Sequence, residues 1–206
     1  MAEVLRLSHL IEKTNVLGPG SRYIVWLQGC AKRCEGCINP EGQSLEGGFM
    51  IPIKELLDRI RTQPDIQGVT ISGGEPFLQF EGLDRLVTGI KRETHCDIML
   101  YSGYQLAEIV SKIGQERSKK FFSNIDIFID GEYKRDLDYG SIYRGSDNQN
   151  IYFFTDKYAA YRESIYATKN RDVEFVLDEK GETVMIGIPP KNFYQSFLKE
   201  IGVERT

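Results

Sequence analysis

The stretch Tyr23-Ile24-Val25-Trp26-Leu27-Gln28-Gly29-Cys30-Ala31-Lys32-Arg33-Cys34-Glu35-Gly36-Cys37 changes character halfway. Its first six residues are rich in β-branched and aromatic side chains and predict a strand. From Gly29 on, glycines, charges and three cysteines predict a loop that runs through Gly48 and includes Pro40. This strand opens an alternating series. Ile53 to Arg61 is apolar at Ile53, Leu56, Leu57 and Ile60, which is helical spacing. Gly68–Ser72 predicts a short buried strand, and Leu83, Leu86, Val87 and Ile90 a helix. Asp97–Tyr101 predicts a strand, Leu106, Ile109, Val110 and Ile113 a helix, and Ile125–Ile129 another strand. Such alternation implies βαβ units and a parallel sheet, with functional loops beyond the C-terminal strand ends. The unusual residues fall there: Gly29-Cys30, Gly73-Gly74-Glu75-Pro76, Ser102-Gly103-Tyr104 and Asp130-Gly131.

The pattern shifts after about residue 150. Val173–Leu177 and Thr183–Ile188 flank Asp178-Glu179-Lys180-Gly181, a hairpin signal. Pro189-Pro190 stops the second strand, and Phe193, Phe197 and Ile201 predict a short final helix. The expected division is an α/β core over residues 1–150 and an extension over 151–206, a β-hairpin and helix packed on the core. A closed eight-stranded barrel takes about 250 residues, more than the 206 here. The expected fold is therefore α/β, either an open doubly wound sheet or a partial, open parallel barrel, with a small C-terminal appendage.

With 41% hydrophobic and 27% charged residues, the chain is neither disordered, collagenous nor a coiled coil. Lys and Arg number 26 against 30 Asp and Glu, a net charge of −4 that argues against dedicated nucleic-acid binding. No apolar run approaches the ~18–20 residues of a membrane span, and the N-terminal residues lack a secretory pattern. The expectation is a cytoplasmic protein. Its two histidines, His9 and His95, read as surface residues.

Cys30, Cys34 and Cys37 have the spacing C-x3-C-x2-C, and in a cytosolic chain such crowding indicates metal or redox chemistry. Three thiolates on a short loop can hold three irons of a cubane, leaving the fourth open to a ligand. The alternative is structural zinc, with His95 or Cys96 completing a tetrahedron. Cys96, however, stands at the start of a strand, the end opposite the functional loops, and reads as a small buried hydrophobe.

The C-x3-C-x2-C loop after the first parallel strand, with Ser72-Gly73-Gly74-Glu75-Pro76 after the second, resembles the signature of radical S-adenosylmethionine enzymes. Several further stretches are similar to glycyl-radical enzyme activases, above all the activating proteins of anaerobic ribonucleotide reductases. They are Gly18-Pro19-Gly20-Ser21-Arg22, Trp26-Leu27-Gln28-Gly29-Cys30, Cys37-Ile38-Asn39-Pro40, Tyr101-Ser102-Gly103-Tyr104, Ile129-Asp130-Gly131-Glu132-Tyr133 and Tyr143-Arg144-Gly145-Ser146-Asp147-Asn148-Gln149. The likeness spans roughly residues 14–150 and leaves 151–206 without a counterpart. Gly36 stands where many radical enzymes have an aromatic residue beside the third cysteine.

The resemblance implies a [4Fe–4S] cluster on Cys30, Cys34 and Cys37, with S-adenosylmethionine on the open iron. Flavodoxin or ferredoxin would reduce the cluster at the low end of the roughly −700 to +450 mV range such clusters span. Cleavage to methionine and a 5′-deoxyadenosyl radical would follow, and the radical would take hydrogen from a glycine of a partner glycyl-radical enzyme. No side-chain acid or base is required. Gly73, Gly74 and Glu75 are expected to hold the methionine amino group, glycines admitting close backbone approach and the carboxylate accepting from an ammonium. Ser102 either hydrogen-bonds the ligand or caps a helix. Asp130 binds a ribose hydroxyl or a cation, or simply makes a turn. Arg144 pairs with a ligand or substrate acid, or forms a surface ion pair. Arg22 contacts a partner or the ligand. Lys32 and Arg33 attract an acidic electron donor or are a solvated pair. Two other readings are a radical enzyme acting on a different peptide or a small molecule, and a non-enzymatic zinc or iron–sulfur module.

Overall fold

The computed structural model describes residues 3–177, 181, 183–191 and 193–200. Four strands form the centre of the sheet: β2 (Arg22–Leu27), β4 (Gly68–Gly73), β5 (Asp97–Ser102) and β6 (Ile127–Asp130). They run parallel in that order. Antiparallel strands flank them, β1 (Val4–Thr14) and then β3 (Phe49–Pro52) on one side and β7 (Asn150–Phe153) on the other. The fold is thus α/β with a parallel centre, and the seven strands do not close into a barrel.

The crossovers are made by α1 (Ile53–Thr62), α2 (Phe80–Glu93) and the pair α3 (Leu106–Ile113) and α4 (Gln115–Phe122). Right-handed crossovers put successive helices on one face of a sheet, and the core shows that face. Leu56, Leu57 and Ile60 of α1 and Leu83, Leu86, Val87 and Ile90 of α2 bury against Tyr23, Val25 and Leu27 of β2 and Val69 and Ile71 of β4. Each such aliphatic burial contributes about 1.5–3 kcal/mol. Gly82 and Gly89 let α2 approach closely, since a Cβ there would lie 2.7 Å from Leu5 and 2.5 Å from Leu57.

Alternate residues point to the other face, which is layered along the strands. At the N-terminal ends lies a buried ionic network. Arg22, 0% exposed, pairs with Asp97 at 2.7 Å and donates to Thr70 Oγ1, Pro19 O and Val69 O. Asp97 also accepts from Lys157 and Tyr158, each at 2.7 Å. Gly68 leaves the room, for a Cβ there would sit 2.5 Å from both Arg22 and Asp97. Above come Ile24, Met99 and Ile127, all buried. At the C-terminal ends are Trp26, paired with Ser72, and Tyr101, paired with Ile129. Trp26, Ser72 and Tyr101 are only half-buried. Arg22 therefore reaches neither partner nor ligand: it sits at the closed end of this face, and its charge is spent on Asp97.

The division expected at residue 150 falls inside β7, which pairs with β6 as part of the main sheet. Ile151, Tyr158 and Ile165, the last in α5 (Arg162–Ala167), join the buried cluster of Met99, Ile127 and Ile129. The separate two-stranded sheet is β8 (Val173–Leu177) with β9 (Thr183–Gly187), followed by α6 (Phe193–Glu200). The expected turn at 178–180 and the helix residue Ile201 lie outside the described residues. Ile186 seats this sheet on Ile11, Leu17 and Ile24. Phe175 stacks on Phe197 at 4.9 Å.

Burial alone would raise the Asp97 carboxyl, but Arg22 with the Lys157 and Tyr158 hydrogen bonds outweighs it and holds Asp97 below its ordinary value. A depressed carboxyl contributes stability above its unfolded value that is lost as pH falls through the folded one. Arg22→Met is expected to cost about 3–5 kcal/mol at pH 7 by stranding that carboxylate. Denaturant melts should show the gap to wild type narrowing as the pH falls below the ordinary carboxyl value of about 3.9 and through the depressed Asp97 value, where the wild-type carboxyl protonates.

Candidate active site at the C-terminal ends of the parallel strands

The cysteine loop is built on β2 and locked to the loop after β4 by backbone contacts. Gly74 N donates to Leu27 O and Glu75 N to Gly29 O, both at 2.7 Å. Gly29 N donates to Gly42 O at 2.8 Å. Both glycines of the Gly73-Gly74 pair are dictated by this approach. Gly73 has φ +113°, and its Cβ would lie 2.3 Å from Leu27 backbone atoms. A Cβ on Gly74 would lie 2.2 Å from Gly29 O and 2.7 Å from Gly42 O. The packing of the chain itself already requires glycine at both positions.

Glu75 is 0% exposed. Its Oε1 accepts from Phe77 N at 3.0 Å and Ser102 Oγ at 2.9 Å, and Oε2 accepts from Gly103 N at 2.8 Å. Burial raises its pKa above the ordinary carboxyl value, with the three donors opposing. Glu75 thus ties the β4 loop to the β5 loop. Ser102 is its partner and also accepts from Tyr104 N at 3.0 Å. Ser102 is not the helix cap, because α3 begins with a capping box between Gln105 and Glu108. Asp130, 0% exposed, makes a tertiary contact to that same helix end: Oδ2 accepts from Leu106 N at 2.6 Å, and Oδ1 from Asn150 Nδ2 at 2.8 Å. It is neither a solvent-facing turn residue nor free of internal partners.

Arg144 is buried, and its guanidinium forms an ion pair with the Asp147 carboxylate at 3.6 Å. Its Nη1 donates to Asp147 O and Gln149 O at 3.2 Å, and the guanidinium stands 5.2 Å over the Tyr166 ring. Its Nε is buried without a partner, as is the hydroxyl of Tyr101. Lys32 leans over the Tyr104 ring at 4.5 Å and within 4.0 Å of Glu108. Arg33 is exposed at φ +55°. His95 is exposed, whereas His9 is half-buried and stacks on Trp26 at 5.8 Å.

The three cysteines are free and half-buried. Burial and the neighbouring Glu132 carboxylate push the Cys34 thiol up to about 11. Among the described residues no three His, Cys, Asp or Glu side chains gather around one ion. Ligands to a cubane each take a different iron and need no such common centre. Zinc would require four donors around one ion, and Cys96 is buried at the opposite end of the sheet. Three soft sulfur donors on one loop, half-open to solvent, fit an iron–sulfur cluster with one iron unclaimed by protein. Binding would displace the thiol protons.

Other residues shape this end without having been singled out from the sequence. Gln28 donates from Nε2 to Glu41 O and Ser44 O, folding back the loop after the cysteines. Gln79 donates to Gln28 O at 3.0 Å. Tyr133 packs beside Gly36, within 3.4 Å of where a Cβ would stand. Gln28 and Tyr133 lie inside stretches quoted above, but their contacts are long-range and leave no local signal.

A family model described as a 4Fe-4S single cluster domain matches residues 16–152. The anaerobic ribonucleoside-triphosphate reductase-activating protein of Enterobacteria phage T4 is 33% identical over 147 residues, 68% of this chain and 89% of the relative. That of Vibrio cholerae is 33% identical over 151 residues, 68% of this chain and 92% of the relative. The pyruvate formate-lyase-activating enzyme of Listeria monocytogenes is 36% identical over 94 residues, 43% of this chain and 38% of the relative.

Gly74→Ala is expected to cost about 1–3 kcal/mol, the range of an overpacked site. It should also lower the iron bound per chain after anaerobic reconstitution, measured by metal analysis against wild type.

Proposed function

The chain belongs to the radical S-adenosylmethionine activating enzymes, and we propose that it installs a glycyl radical on a partner enzyme of the anaerobic ribonucleotide reductase class. The observation that carries this reading is the lock between the cysteine loop and the Gly73-Gly74-Glu75 loop. It is supported by the coverage of about nine-tenths of the anaerobic reductase activating proteins.

Cys30, Cys34 and Cys37 hold the [4Fe–4S] cluster in this proposal. When bound, the cluster supplies the electron that opens the sulfonium of S-adenosylmethionine to methionine and a 5′-deoxyadenosyl radical. The backbone of Gly73 and Gly74 receives the methionine amino group. Glu75 and Ser102 act on that group by fixing the loop, since their polar atoms are already engaged within the protein. Asp130 sets the start of α3, and any ribose contact passes through that helix end. Arg144, with its unpartnered Nε, takes the carboxylate of the ligand or of the partner segment. Trp26, Ser72 and Tyr101 line the wall beneath. No general acid or base is needed, which suits a wall of this composition.

The sheet acts as a partial, open barrel, and its open side gives a polypeptide loop access to the cysteine end. Arg33, Lys134 and Arg135 are exposed near the cysteine loop in a chain of net charge −4. Such a rim would steer an acidic flavodoxin or ferredoxin. Among the described residues no helix is long and apolar enough to cross a membrane. The enzyme would work in the cytoplasm, beside these partners.

The test is anaerobic. The reconstituted enzyme is mixed with reductant, S-adenosylmethionine and an anaerobic ribonucleotide reductase catalytic subunit, and frozen for paramagnetic resonance. A glycine-centred doublet with wild type and none with Cys34→Ala is expected. Formation of 5′-deoxyadenosine with no glycyl signal would transfer the chemistry to another substrate.

A further inference from the structure

Residues 168–171 lie beyond the segment matched by the family model, yet they grip residues 138–147 of the core. Ile142 N donates to Thr168 O at 3.0 Å, and Lys169 Nζ donates to Ser141 Oγ and Asp147 Oδ2. Arg171 is the centre of the grip. Buried at 7% exposure, it donates from Nε to Ser141 O at 3.0 Å, and from Nη2 to Arg144 O at 2.6 Å and Gly145 O at 3.0 Å. It pairs with Asp138 at 2.8 Å. The accepting carbonyls lie on both sides of Tyr143, a non-glycine residue at φ +61°. Such a conformation costs on the order of 1–3 kcal/mol and persists where its surroundings over-determine it.

The gripped turn leads to the cysteine loop. A Cβ on Gly145 would stand 2.9 Å from the Tyr133 ring, and that ring lies 3.4 Å from the Cβ position of Gly36. The Tyr133 hydroxyl reaches Asp138 at 3.4 Å, which closes the circuit back to Arg171. The small residues Gly36 and Gly145 both face the Tyr133 ring, which stands between residues 141–145 and the turn at Gly36.

We propose that Arg171 is a positioning residue for the cysteine loop, acting through Gly145 and Tyr133 to brace the turn at Gly36 between Cys34 and Cys37. The C-terminal segment then has a role in keeping the cluster, beyond covering the sheet. The proposal rests on the cluster reading above.

Wild type, Arg171→Lys, Tyr133→Leu and the double variant are reconstituted anaerobically with iron and sulfide. Iron per chain is measured, and the visible absorbance of the cluster is followed after addition of a chelator. Arg171→Lys keeps the charge opposite Asp138 but loses the fork. Each single variant should lose its cluster about tenfold faster, the lower end of what outer-shell changes do to metal sites. Because the two act along one path, the double variant should be no faster than the faster single. Lys157→Ala, which loosens the Asp97 network at the opposite end, should lower the melting temperature and leave the rate unchanged. A wild-type rate in Arg171→Lys, or multiplied rates in the double variant, would overturn the proposal. If Arg171→Lys does not fold, a wild-type rate in Tyr133→Leu overturns it. A wild type that takes up no iron would overturn the cluster reading instead.

Discussion

The backbone of Gly74 lies against the backbone of Gly29 with no space for a Cβ between them, and the upper end of the sheet depends on that contact. It joins the loop after β2 to the loop after β4, and Glu75 extends the joint to the loop after β5 through Ser102 and Gly103. Asp130 carries it from β6 to the start of α3. Four neighbouring strand ends are thereby held by one continuous set of backbone and carboxylate contacts. Loops are ordinarily the mobile part of a fold. Here they are fixed by hydrogen bonds to backbone carbonyls and to the buried carboxyl groups of Glu75 and Asp130.

The two ends of the parallel strands do different work. The N-terminal ends are closed by Arg22 and Asp97, a pair whose removal from water is compensated by Thr70, Lys157, Tyr158 and two backbone carbonyls. A buried ion pair of this kind adds less net stability than its geometry suggests, but it occupies the layer beneath Met99 and Ile24. The C-terminal ends stay half-open at Trp26, Ser72 and Tyr101, under the cysteine loop. The separation agrees with the general rule that parallel sheets bind ligands beyond their carboxyl edges.

The parallel core was legible in the sequence because each of its signals is local. Ile53, Leu56, Leu57 and Ile60 repeat at helical spacing, and Tyr23 to Leu27 are rich in β-branched and aromatic side chains. The antiparallel strands flanking that core in the main sheet were not. β1 (Val4–Thr14) includes Arg6, Ser8 and His9, and β3 is four residues long; both are strands because of what they pair with. The cysteines and the Gly-Gly-Glu loop were recognisable by residue type and spacing. The work done by Glu75, Ser102 and Asp130 was not, since each looks like a ligand-binding residue in sequence and is held by partners 20 or more positions away. Arg171 gave no sequence signal at all: a lone arginine in a polar segment has contacts only when the chain has folded back on residues 138–147.

The central claim is that the three-cysteine loop, locked to Gly73-Gly74, supports reductive opening of S-adenosylmethionine. The most direct measurement is anaerobic incubation of the iron- and sulfide-reconstituted protein with dithionite and S-adenosylmethionine, with quantification of 5′-deoxyadenosine and methionine. Both products are expected in equal amounts from wild type and neither from Cys34→Ala. A protein carrying its full complement of iron that yields neither product under a sufficient reductant would contradict it.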